Sequence, residues 1–295
     1  MRPLYVIIVF LICIGCSNEP NRYIDTEGTN LPNMTGPNSD TISFGIFTTK
    51  GDILDTYIDE GEKELVLEFD QYFKNDITFG VIVLKDFMQS SIKFEKEKGN
   101  YFEFEALSNS SNQFKLQLDS IKDAQELDIL IVPLPNEYPE TSNIEEAFDI
   151  GENMTLRRRI NKSNASVVYS NIDAEALNES IIDSIYLSKE KSNYDYVHTV
   201  KEGETVYIHV GNHTNSPLTY AVIGFLGWEQ VKIDDKDVVF TTVQPDTTNV
   251  IEFEVPAAED QTPLQFFAFP HPLNVNEVDY DSKNTYSTLR AFIKK

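Results

Sequence analysis

The sequence predicts an all-β chain folded as two antiparallel β-sandwiches in tandem, and three observations predict it. Apolar residues recur with a period of two, short runs of this kind are separated by turn-forming stretches, and four sequence blocks occur twice in the same order.

The repeat comes first because it sets the domain plan. DEGEKELVLEF around Gly61 matches KEGETVYIHV around Gly203, and DITFGVIVLKDF around Thr78 matches PLTYAVIGFLGW around Thr219. Leu127 to Pro135 then lines up with Leu264 to Pro272, and Thr155-Leu156-Arg157 with Ile160 and Lys162 lines up with Thr288-Leu289-Arg290 with Ile293 and Lys295. The offset shrinks from 141 at Thr78 and Thr219 to 133 at Thr155 and Thr288, as small loop deletions would make it. One such block could arise by chance between alternating strands; four in order imply a tandem duplication. Residues 41–162 and 180–295 are therefore the two expected sandwich domains.

Within the first unit, Leu65, Leu67 and Phe69 alternate with Val66 and Glu68. The expected strands continue at Ile77 to Leu84, Ser91 to Glu95, Tyr101 to Ala106, Gln113 to Leu118 and Leu127 to Val132. Glu97 to Asn100 and Ser108 to Ser111 have turn composition. In the second unit Val206, Ile208 and Val210 alternate with Tyr207 and His209. Arg157-Arg158-Arg159 could be taken for a basic docking patch, but its counterpart Arg290-Ala291-Phe292 favours a terminal strand in both copies. Between the units, residues 163–179 form a linker in which Asp173 could cap a short helix, the alternative being a continued strand from Ser166. With seven or eight short strands per unit, each domain resembles an immunoglobulin or fibronectin type III module, although the Cys-Trp-Cys core of immunoglobulins is absent.

The N-terminus carries a different signal. Leu4 to Gly15 is an uncharged apolar run after Met1-Arg2, and the composition turns polar at Ser17. The run is too short to cross a hydrocarbon core, which needs about 20 helical residues. Ending on Ile14-Gly15-Cys16, it resembles a bacterial lipoprotein signal, with Cys13 at the place where such signals usually carry Leu. That resemblance implies that residues 1–15 are removed and Cys16 is lipidated, leaving the protein anchored to the cell membrane and facing outside the cytoplasm. Cys13 would leave with the signal, so no thiol pair would remain to form a disulfide. Residues 16–40, rich in Asn, Pro, Gly and Thr, have the composition of a flexible tether.

Charge narrows the function classes. A formal net charge of −24 argues against nucleic acid as a partner, because phosphate binding requires concentrated Lys and Arg. It equally disfavours a surface lying flat on anionic lipid. The four His, at 198, 209, 213 and 271, all lie in the second unit, where His209 and His213 bracket the end of a strand. They are weak metal candidates, and so are Asp234, Asp235 and Asp237 in a turn; solvated side chains are the plainer reading of both sets. Neither HExxH, nucleophile elbow, P-loop nor GxGxxG accompanies them, so no catalytic residue, cofactor or resident metal is expected. Lone Trp228 is read as core packing or a strand-end anchor, and Pro270-His271-Pro272 as a structural frame repeating Pro133-Leu134-Pro135.

The expected function is a non-catalytic binding module of the cell envelope with a protein or glycan partner. A solute-binding lipoprotein of a transporter and a hydrolase on a sandwich scaffold are the alternatives. The candidate partner surface is the connection at residues 136–152, crowded with Glu137, Glu140, Glu145, Glu146, Asp149 and Glu152, together with its counterpart at 273–284.

Overall fold

In the first half, the alternating segments close into two facing sheets. One contains, in order, β1 (Ile42–Thr48), β3 (Glu64–Gln71), β9 (Ser110–Leu118), β6 (Ile92–Phe94) and β7 (Glu97–Gly99). The other contains β2 (Tyr57–Ile58), β11 (Met154–Ile160), β10 (Glu126–Pro133), β4 (Ile77–Lys85) and β5 (Met88–Gln89), with β8 (Tyr101–Ala106) also paired to β4. The computed structural model describes residues 41–138, 147, 153–160, 171, 172, 174–178, 185–192, 195–274 and 284–295. These belong to one unit, Asp40–Lys295.

The second half repeats the plan. Its outer sheet runs β12 (Glu175–Leu177), β19 (Thr247–Glu254), β15 (Thr205–Asn212) and β13 (Ile185–Ser188). Its inner sheet runs β14 (Thr199–Val200), β22 (Ala291–Ile293), β20 (Pro263–Pro270), β16 (Leu218–Leu226) and β17 (Glu229–Val231), with β18 (Val239–Val243) on β16 and β21 (Tyr286–Ser287) on β20. Register carries the duplication into three dimensions. Phe44 of β1 faces Phe69 of β3, and Ile185 of β13 faces Val210 of β15, both residues displaced by the same 141 positions. In each half a short strand joins the last strand in parallel, Ile58 against Ile160 and Val200 against Ile293. The chain is all-β, as the alternation predicts.

Each sandwich has its own core. Leu65, Leu67, Phe69, Phe79, Val81, Ile129 and Leu116 fill the first, and Val206, Ile208, Val210, Val222, Phe253 and Phe266 the second. In the first, Phe69, Phe79 and Phe104 contact one another at centroid distances of 4.6 to 5.6 Å, within the range of favourable aromatic pairs.

The central strands depart from simple alternation because they are covered on both faces. In β10 and β20 all but one residue is buried, and in β4 and β16 a continuous run of six is, whereas β3 and β9 alternate. Phe79, Val81 and Val83 point into the first core, while Ile82 and Leu84 point the other way and meet Ala221, Ile223 and Phe225 of β16. Leu130 and Val132 of β10 meet Phe267 and Phe269 of β20 in the same layer. The molecule is thus four sheets deep, with the two inner sheets packed face to face over a third apolar core.

The linker differs from the helical alternative. Glu175–Leu177 is a strand paired antiparallel with β19, and Asn171 bridges Phe240 of β18 in parallel. Ile172 and Ala174 pack on the second core, and this tertiary contact outweighs the modest helix preference of Ala, Leu and Glu. Asp173 lies outside the described residues, as does Ser166.

Candidate functional site

The polar groups with the most developed geometry lie in the seam between the two inner sheets. The hairpins that enter it are two-residue turns, Asp86-Phe87 and Gly227-Trp228, and all four residues have positive φ (49°, 67°, 60° and 67°). Positive φ at both turn positions belongs to the type I′ hairpin, whose twist suits antiparallel strands. A bulky aromatic residue rarely adopts it. Here it sets Phe87 and Trp228 into the third core, both almost fully buried.

Beside each aromatic sits a glutamine that reaches across the seam. The Gln89 amide donates to Gln230 Oε1 at 2.6 Å, and the Gln230 amide donates to Gln89 Oε1 at 2.8 Å. Gln89 Nε2 donates to the Trp228 carbonyl at 2.8 Å, and Gln230 Nε2 to the Phe87 carbonyl at 3.0 Å. Each half therefore gives the other the same bonds that it receives, the pattern of a twofold, self-complementary interface.

A pair of arginines repeats the exchange. Arg157 Nη1 donates to the Pro270 carbonyl at 2.7 Å; Arg290 Nη2 donates to the Pro133 carbonyl at 2.6 Å and its Nη1 to the Leu134 carbonyl at 2.7 Å. Both guanidinium groups lie over an aromatic ring of the second half, Arg157 over Phe269 and Arg290 over Trp228. Leu134 and His271 both have positive φ, 46° and 50°, so the Pro-x-Pro frame does turn the chain alike in both copies.

The two arginines differ in their counterparts. Arg157 forms an ion pair with Glu126 at 2.6 Å, and its Nε lies 3.5 Å from Asp128; all three side chains are fully buried. Arg290 has the neutral Gln265 in the place of Asp128, at 3.4 Å. Burial first, then the neighbouring Glu126, holds the pKa of Asp128 well above the usual carboxylate range, against the pull of Arg157. Asp128 thus stands at the position that the neutral Gln265 holds in the second half. Burial also lowers the pKa of Arg290, an effect that nearby Tyr101 partly offsets.

Arg157 and Arg158 are buried in β11, and Arg158 Nε donates to the Leu54 carbonyl, so the triplet is a strand and its first two side chains are internal. His209 corrects the solvated reading, because its ring is fully buried on β15. Its Nε2 lies 2.8 Å from Ser188 Oγ, and that hydroxyl donates its proton to the Glu190 carbonyl at 2.6 Å. The Ser188 hydroxyl thus bridges the ring nitrogen and a backbone carbonyl, and the His209 tautomer sets the direction of the bond between ring and hydroxyl. Burial lowers the His209 pKa to about 4, against a smaller upward effect of the Glu190 backbone. His213 is exposed beyond the strand end, and His198 and His271 are half-buried. Among the described residues, His209 and His213 are not brought together with other ligands.

Asp234 and Asp235 stand exposed in a turn, both at positive φ, with Asp237 half-buried nearby and Lys236 3.5 Å from Asp234. Among the described residues no group of three or more His, Cys, Asp or Glu is placed to hold a metal ion. Of the acidic residues in the connection only Glu137, exposed, is described; Glu140, Glu145, Glu146, Asp149 and Glu152 lie outside the described residues, as do Cys13 and Cys16. Sequence reasoning missed the seam. Its signal was present in the near-continuous apolar runs at Phe79 to Leu84 and Phe266 to Phe269, which mark strands buried on both faces.

No family model matches the chain, and no curated protein matches it. Solved structures do, at low similarity. The CupB2 chaperone of Pseudomonas aeruginosa is 9% identical over 80% of this chain and 97% of its own, with a TM-score of 0.26. The C-terminal domain of the Streptococcus pyogenes antigen I/II-family protein AspA is 8% identical over 88% and 100%, also at 0.26. The E. coli chaperone DraB is 8% identical over 86% and 98%, at 0.28.

Proposed function

We propose that this chain is an exported lipoprotein that works by binding, held to the membrane through acylated Cys16 and engaging a protein or glycan of the cell envelope. The observation that carries the binding part is the seam. Eleven buried apolar residues and two reciprocal sets of hydrogen bonds join the sandwiches into one block. A solute-binding protein that closes on its ligand needs two bodies able to part, and a largely apolar interface opposes that. The buried groups best suited to chemistry, Arg157, Glu126, Asp128, Arg290, Ser188 and His209, hold strands and carbonyls in place. The loops and strand edges remain for recognition, the acidic connection at 136–152 among them.

Anchoring is tested by metabolic labelling with a clickable palmitate analogue. Wild type should incorporate label, and Cys16→Ser should not; equal labelling of both would remove Cys16 as the site. Binding is tested by affinity capture from envelope extract with residues 17–295, reading out proteins and glycans. Charge-neutralising substitution of Glu137, Glu140, Glu145, Glu146, Asp149 and Glu152 should reduce capture. Unchanged capture would move the partner surface elsewhere, and no capture at all would count against the binding reading.

A further inference from the structure

Among the described residues, the two sandwiches differ along one side. In the second, the segment at 171–177 closes the side of the sandwich. The Ile172 amide donates to the Phe240 carbonyl of β18 at 2.9 Å, and three residues later β12 pairs with β19, Glu175 against Val250 and Leu177 against Thr248. The strap thus runs parallel to one edge strand and antiparallel to the other, and its Ile172 and Ala174 pack on the second core.

The same edges exist in the first sandwich. Glu103 of β8 faces Gly80 as Phe240 faces Ala221, and Ser111 and Gln113 of β9 face Asp70 and Glu68 as Thr248 and Val250 face Gly211 and His209. Along β9, backbone groups alternate between the two sides. Leu118 donates to the Lys63 carbonyl beside β3 at 2.8 Å, so even-numbered residues bond inward and odd-numbered ones face away. Lys115 is satisfied on that outer side: its amide donates to Glu95 Oε1 at 2.6 Å, and its carbonyl accepts from the Glu95 amide at 2.8 Å. At Ser111 and Gln113, among the described residues, no strand pairs on the outer side.

Side chains register the difference. Phe114 is half-buried where its counterpart Ile251 is 3% exposed, and Asn112 is half-buried where Asn249 is 9% exposed. An edge with unpaired amides and carbonyls beside a partly bare aromatic is a template for an added strand. The charge along it also differs from the second copy. Glu103 and Glu105 stand exposed on β8 where Phe240 and Thr242 stand on β18.

We propose that the β8–β9 edge of the first sandwich binds an extended segment of a partner protein. The segment lies parallel to β8 and antiparallel to β9, as residues 171–177 lie on the second sandwich. It presents an apolar side chain toward Phe114 and is basic or uncharged beside Glu103 and Glu105. This deepens the binding reading by naming the surface and the kind of ligand.

The probe is a synthetic peptide of residues 170–178, SNIDAEALN, and a form of it with Asp173→Lys and Glu175→Lys, titrated into the full chain in mild detergent. Fluorescence anisotropy reads affinity, and amide hydrogen exchange reads the place. Saturable binding is expected, with the Ser111 and Gln113 amides gaining protection and the lysine form binding more tightly at low salt. N-methylation of the peptide at the Ile172 position removes the hydrogen donated to the Glu103 carbonyl and should weaken binding about tenfold. In the protein, Gln113→Pro deletes an amide that pairs with no strand, on an edge where proline is tolerated, and should weaken binding by a similar factor with the melting temperature little changed. Absence of peptide binding, indifference to N-methylation, or protection of both amides before peptide is added would each overturn the proposal. Capture of an envelope partner unaffected by Gln113→Pro would overturn it too, while leaving the binding reading intact.

Discussion

Arg157 and Arg290 occupy the same place in the two halves and lead different electrostatic lives. Each crosses the seam to a proline carbonyl, and each lies over an aromatic ring. Arg157 is balanced by a buried carboxylate and Arg290 by neutral acceptors. The comparison separates what the seam requires, a long donor that satisfies buried carbonyls, from what one half has added, an ion pair and a second buried carboxyl group.

Removing the arginines should expose the difference most strongly. Arg157→Met leaves Glu126 in the interior without its ion-pair partner, a loss of about 3–5 kcal/mol by urea denaturation. Arg290→Met leaves neutral carbonyls without donors and should cost less, about 1–3 kcal/mol. Equal losses would mean that the Glu126 pair adds nothing beyond the shared hydrogen bonds.

The glutamines come next. Gln89→Ala and Gln230→Ala should each cost about 1–3 kcal/mol, because each strands groups of the other half. Since the two share their bonds, the double variant should fall short of the sum by at least about 0.5 kcal/mol. Strict additivity would show that the exchange is not a unit.

Two titrations give smaller effects of opposite sign. The His209 pKa lies below its ordinary value of 6.5, so its contribution is complete above pH 6.5 and is lost as pH falls toward about 4. A plot of melting temperature against pH should fall across that window in wild type and flatten in His209→Gln. The Asp128 pKa is raised, so its contribution is complete below its ordinary value of 3.8 and is lost as pH rises through the folded value. Asp128→Asn copies Gln265 and should match wild type in acid but exceed it by a few degrees in alkali. A wild-type alkaline limb identical to that of the variant would refute the raised pKa of Asp128.

Much of the outer architecture was legible in the chain because one face of each outer strand meets water. Leu65, Leu67 and Phe69 alternate with polar or partly exposed neighbours for that reason, and the alternation places the strand. The inner strands hide their second face from the same test. Ile82 and Leu84 look like ordinary core residues until something is known to cover them. The seam polar groups were harder still. Nothing near Gln89 in sequence distinguishes it from a surface glutamine, and its partner lies 141 residues away. His209 was misjudged because alternation assigns it to the outer face of β15, and burial there depends on tertiary cover rather than on strand period. Strand β1, Ile42–Thr48, carried too few strictly alternating residues to stand out, yet its pairing with β3 is among the most extensive in the first sandwich.

The reciprocity of Gln89 and Gln230 has a consequence for how such a chain can change over generations. Two copies of an ancestral segment that remain face to face are not released to diverge at their contact, because a substitution in either is felt by both. Phe87 and Trp228 could drift to different rings, and Asp128 and Gln265 to different polar groups, only along paths that kept the opposite copy satisfied. Away from the seam no such mutual restraint applied, and there Glu103 and Glu105 stand where the second copy carries Phe240 and Thr242.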